Sequence, residues 1–79
     1  MKFSKGAIVQ SECGQVACIH RSKLVKNDDV EVDVFEVIFQ KDPSKRAIYA
    51  YVREEESLDA RLLANAPDGA VPENIRLVQ

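Results

Sequence analysis

Residues 30–39 read Val-Glu-Val-Asp-Val-Phe-Glu-Val-Ile-Phe, and no other stretch narrows the possible folds as far. Its β-branched and aromatic content suits a pleated strand. In an antiparallel sheet one face is normally wet, yet from Val34 to Phe39 both faces are apolar, so this strand needs a core on one side and a cover on the other.

Four more runs read as strands by the same signals: Gly6 to Gln10, Gln15 to Val25, Ala47 to Arg53 and Asn74 to Val78, with the central one extending from Val30 to Gln40. Turn residues fall between them. Glu12-Cys13-Gly14 separates the first two and Lys26-Asn27-Asp28-Asp29 the next pair. In Lys41-Asp42-Pro43-Ser44-Lys45 the Asp-Pro pair suits a type I turn. Three hairpins in succession make a meander. The segment after Arg53 breaks the pattern: Ser57 can cap a helix, Leu58 and Leu62 lie one helical turn apart, and Pro67 with Gly69 ends what came before. A short helix from Leu58 to Asn65 is expected, with a continued strand as the competitor. At 79 residues the chain is one domain. Strands this few bury little unless they curl around one core. The expected fold is therefore mainly β: a five-stranded, strongly bent antiparallel meander or partly open small barrel, with one short helix before the last strand.

Pairing arithmetic gives a register. If Asp42 pairs with Lys45, Phe39 lies opposite Ile48, Val37 opposite Ala50 and Phe35 opposite Val52. If Lys26 faces Asp29, Val16 lies opposite Phe39, Cys18 opposite Val37 and His20 opposite Phe35. One apolar face emerges, made of Val16, Cys18, Phe35, Val37, Phe39, Ile48, Ala50 and Val52. A bulge or an odd loop would turn a strand over. Ile8 or Val9 from the first strand and Ile75 with Leu77 from the last close this core, and Leu58 and Leu62 plug an end.

Composition excludes several classes. With 46% hydrophobic and 30% charged residues the chain is globular and not disordered. No stretch approaches the roughly 18 apolar residues of a membrane span, and Met1 to Gln10 lacks a signal-peptide core, so a complete, cytoplasmic chain is expected. A net charge of −2 lacks the basic surplus typical of nucleic-acid binders. The local clusters, Lys41, Lys45 and Arg46 and also Arg21, Lys23 and Lys26 on one side, and Asp28, Asp29, Glu31, Asp33 and Glu54 to Glu56 on the other, read as solvated loops.

Cys13, Cys18 and His20 raise the question of a metal. A structural zinc site normally takes four ligands, and no other cysteine or histidine completes this set. The expectation is no metal, no cofactor and two free thiols. Catalysis has as little support: burial in an apolar face would raise the Cys18 thiol pKa, and no phosphate-binding glycine loop or nucleophile elbow is present. Carboxylate pairs such as Asp33 with Glu36 read as solvated, so no catalytic residue is assigned and the chain is expected not to be an enzyme.

The segments Phe3 to Ile19, Val34 to Phe39 and Val71 to Val78 together resemble a Tudor-like or KOW-like small barrel. Within that group they are similar to the RNA-polymerase-interacting domain of the CarD and transcription-repair coupling factor family. Phe3, Gly6, Val9 and Gly14 match its opening, and Pro72, Ile75 and Arg76 its close. The departures are Val16 in place of a second turn glycine, Ala7 in place of an acid after Gly6, and no helical DNA-contacting domain. The resemblance implies a barrel that docks on a protein partner through an exposed strand.

Behind the apolar face the same register sets Ile38 beside Tyr49, Glu36 beside Tyr51 and Val34 beside Arg53, with Ala17 and Ile19 alongside. Tyrosines in an apolar patch rimmed by Glu36, Arg53 and Arg21 have the composition of an interface. The candidate interface is Ile19, Val34, Glu36, Ile38, Tyr49, Tyr51 and Arg53. Its cover is the 58–65 helix, a second copy in a two-fold dimer, or a protein partner. The expected function is a non-enzymatic protein-interaction or assembly module that self-associates. The alternatives are a nucleic-acid-binding barrel using Tyr49, Tyr51 and the Lys41/Lys45/Arg46 turn, and a small-ligand or enzymatic fold.

Overall fold

The computed structural model describes residues 3–54, 59–65 and 71–78. Six strands follow one another: β1 (Ile8–Ser11), β2 (Val16–Asn27), β3 (Val30–Phe39), β4 (Arg46–Val52), β5 (Asp59–Asn65) and β6 (Asn74–Leu77). Each pairs antiparallel with the next, and β6 returns to β1, so the sheet is a closed barrel. The expected five strands become six and the open meander closes, because the segment expected to be helical is β5. Leu58 and Ser57 lie outside the described residues. Over Asp59 to Leu62 side chains alternate polar and apolar; Ala60 is buried, Leu62 packs against the core and Arg61 is exposed. Pairing on both sides, to β4 and to β6, overrides the modest helical propensity of Ala, Arg and Leu.

The β2–β3 hairpin turns through Asp28 and Asp29, whose φ values of 49° and 68° are both left-handed, as a two-residue I′ turn requires. Aspartate tolerates that region better than most residues. Asn27 therefore pairs with Val30, two positions from the expected register, which by itself preserves side-chain parity. The parity changes at His20, where a bulge separates the pair Ile19–Val37 from Arg21–Glu36. Ala17 and Ile19 turn inward as a result, and Val16 and Cys18, expected in the core, turn outward.

The β3–β4 turn forms at Asp42 to Lys45 as expected, closed by the Lys45 amide donating to the Asp42 carbonyl at 2.9 Å. The Gln40 amide donates instead to Val16 on β2, and the last β3–β4 pair is Ile38 with Arg46. The residues 39 to 45 between that pair are odd in number, so β4 is turned over. Phe35 faces Tyr49 and Val37 faces Ala47, which corrects the expected partners Val52 and Ala50. Ile48, Ala50 and Val52 consequently lie on the outside.

The core is Phe3, Val9, Ala17, Ile19, Phe35, Val37, Phe39, Ala47, Tyr49, Tyr51, Ala60 and Ile75. Val9 and Ile75 take their expected places, and Leu77 packs at the margin. Phe3 stacks on Phe35 with centroids 4.9 Å apart and contacts Tyr51 at 4.7 Å. Its carbonyl accepts a 2.7 Å hydrogen bond from the Ser22 hydroxyl, which ties the segment before β1 to β2. Burying such a side chain stabilises the fold by about 1.5–3 kcal/mol.

Candidate interaction surface on the outer face of β3 and β4

The closed barrel separates the seven candidate interface residues into three inward, three outward and one at the barrel end. Ile19, Tyr49 and Tyr51 point into the core, at 1%, 0% and 5% exposure, so the bulge at His20 and the inversion of β4 remove them from any surface. The same burial leaves Tyr49 and Tyr51 with no exposed ring face for a base to stack on. Val34, Glu36 and Ile38 do lie together on the outside of β3, half-buried by their neighbours.

Their neighbours differ from those expected. The pairing lays the outer face out in rows across the strands. Val25, Val32 and Val52 form one row, and Lys23, Val34, Ala50 and Arg61 the next. Arg21, Glu36, Ile48 and Ala64 follow, and then Cys18, Ile38 and Arg46. Ile48, Ala50 and Val52 belong to the surface although the sequence reading placed them in the core. The signal that could have revealed them is the odd interval of residues between Ile38 and Arg46. A groove of about 250 Å³ lies here, lined by Val34, Ile48, Arg21, Lys23 and Glu36 among others. Glu36 is its single acid, paired with Arg21 at 3.3 Å and Arg46 at 3.9 Å.

Arg53, on the inward side just past β4, forks its guanidinium onto both oxygens of Asp33 at 2.8–3.2 Å and reaches Glu31 at 3.9 Å. Asp33 is 2% exposed at the barrel end, and its carboxylate holds the Arg53 guanidinium above its usual pKa. The pair closes the barrel end and belongs to its architecture.

The sulfur and imidazole groups do not converge. Cys13 sits in the β1–β2 turn, where Gly14 supplies a φ of 92°; its thiol lies 3.1 Å from the Ser11 hydroxyl, and that bond lowers its pKa. Cys18 is exposed on the outer face, and His20 is exposed at the bulge. Among the described residues no three His, Cys, Asp or Glu side chains gather as a metal-ligand set. Among the same residues no helix is long and apolar enough to cross a membrane. Comparison of the chain with protein-family models, with curated proteins and with solved structures returned no match.

Proposed function

We propose that the chain is a non-enzymatic protein-interaction module that presents the outer face of β3 and β4. The observation that carries this reading is the run of apolar side chains on that face: Val32, Val34, Ile38, Ile48, Ala50 and Val52. Among the described residues, strand contacts run only between neighbours around the barrel, so no other strand lies over them. A contiguous apolar patch of this kind on a small protein is the composition of a docking surface. A standard interface of about 800 Å² per partner is a modest share of the 5363 Å² that the barrel exposes.

The test is site-specific photo-crosslinking in the source cells, with a photoreactive amino acid at Val34 or Ile48 and, as control, at Gln10 on β1. Adducts, to a second copy or to another protein, are expected from the first two positions and not from the control. Equal labelling from all three, or none from any, removes the interaction reading.

A further inference from the structure

We infer that the open edge of β2, at Leu24 to Lys26, pairs with the same edge of a second copy of the chain, antiparallel about a two-fold axis at Val25. The inference goes beyond the surface proposed above. It concerns a strand edge, and the outer face of β3 and β4 stands or falls without it.

The edge exists because neighbouring strands differ in length. β2 has twelve residues and β1 four, and β1 pairs with β2 only at Val16, Ala17 and Cys18, with Gly6 and Ala7 continuing the contact to Ile19. Past the bulge at His20, Arg21 to Asn27 pair with β3 alone, and every residue of that run is exposed. Closure of the barrel therefore stops short of the β2–β3 hairpin.

The ladder shows which groups line this edge. The Glu31 carbonyl accepts a 3.0 Å hydrogen bond from the Arg53 amide, on the β4 side, so Glu31 turns its backbone groups away from β2. Its partner Lys26 turns its own away from β3, and by the alternation of antiparallel pairs Leu24 does the same. Among the described residues no strand meets them. Such a row of amides and carbonyls is a template for one more extended strand.

The hairpin complements itself in one register. With the axis at Val25, Leu24 and Lys26 of one copy exchange amide-to-carbonyl hydrogen bonds with Lys26 and Leu24 of the other. Val25 then faces Val25, and the rows Val25–Val32–Val52 of the two copies join into one apolar row. Leu24 and Val25, 45% and 38% exposed in the single chain, are covered. Lys23 falls opposite Asn27, and the acidic turn Asp28–Asp29 comes level with Ser22 and Arg21 of the other copy. Other axes fail. One at Lys23 or Lys26 sets lysine on lysine. One at Leu24 carries Asp28 to His20, beside the edge that Ala7 already fills at Ile19. A two-fold dimer needs only one such self-complementary segment.

Light scattering should find a dimer at tens of micromolar. Val25→Lys, which sets like charges opposite each other at an exposed position, should make it monomeric with an unchanged circular dichroism spectrum. The register is tested by cross-linking in a Cys13→Ser/Cys18→Ser background with oxidised glutathione. Val25→Cys should give a disulfide-linked dimer on non-reducing gels, because residues directly opposite in a non-hydrogen-bonded pair have Cα atoms about 4.5 Å apart. Lys23→Cys, which the register sets opposite Asn27, should not. A monomeric wild type, equal linking at both positions, or linking at neither overturns the inference. A dimer that Ile48→Asp splits and Val25→Lys does not also overturns it, and assigns self-association to the outer face of β3 and β4. A monomer that still gives photo-adducts at Val34 and Ile48 removes the edge pairing and leaves the proposed interaction surface standing.

Discussion

The Tyr49 hydroxyl donates a 2.6 Å hydrogen bond to the Pro72 carbonyl oxygen, joining the middle of β4 to the segment that leads into β6. The ring is fully buried, so the bond is shielded from water and fixes where the closing strand enters the barrel. Tyr49→Phe leaves the Pro72 carbonyl without this donor and should cost about 1–2 kcal/mol in urea unfolding, with an unchanged m value.

The same burial produces a pH dependence. Desolvation pushes the Tyr49 pKa up to about 12 from its ordinary 10, so the folded state favours the neutral phenol. The associated stability is fully present below pH 10 and is lost as pH rises from 10 through 12. Thermal melts of the wild type should fall more steeply over that window than those of Tyr49→Phe. Parallel pH profiles for the two proteins would contradict this assignment.

Ile19 and Cys18 are adjacent in sequence and face opposite ways. Cys18→Ala should change stability by less than about 0.5 kcal/mol, whereas Ile19→Ala should cost about 2–5 kcal/mol through transfer and cavity terms. Ile48→Asp should likewise fold while Tyr49→Asp should not. Circular dichroism melts of the four variants test the bulge at His20 and the inversion of β4 together.

Arg53 compensates a carboxylate that is otherwise buried. Arg53→Met should lower the melting temperature by more than the double variant Asp33→Val/Arg53→Met, because removing both charges leaves none stranded in the barrel end. A double variant that is additive, or worse, would show that the pair contributes net stability beyond mutual compensation.

The Ser11 hydroxyl lowers the Cys13 thiol pKa, and the thiol is exposed. Since the thiolate is the nucleophile, Cys13 should react with iodoacetamide at a pH below the usual thiol range. Ser11→Ala should shift that profile upward and slow labelling at pH 8 several-fold, as followed by peptide mass spectrometry.

The β character, the strand positions up to Val52, the three turns and the inward row Phe35, Val37 and Phe39 were legible in the local sequence. Alternation, β-branching and turn chemistry are short-range properties, and the Asp28–Asp29 hairpin shows how fully two residues can specify a reversal. What lies across from what was decided elsewhere. One extra residue at His20 and an odd interval after Ile38 each inverted a strand, exchanging Cys18 for Ile19 and Ile48 for Tyr49 as core residues. Because the side-chain period of a strand is two, an error of one residue moves a whole row to the other face. Only the closed hydrogen-bond circuit counts such intervals. The same circuit made β5 a strand where leucine spacing suggested a helix, because closure pairs it on both sides. The apolar residues of the outer face were visible in sequence as an excess that needed a cover; which of them share that face, Ile48, Ala50 and Val52 among them, was decided only by the pairing of β3 with β4.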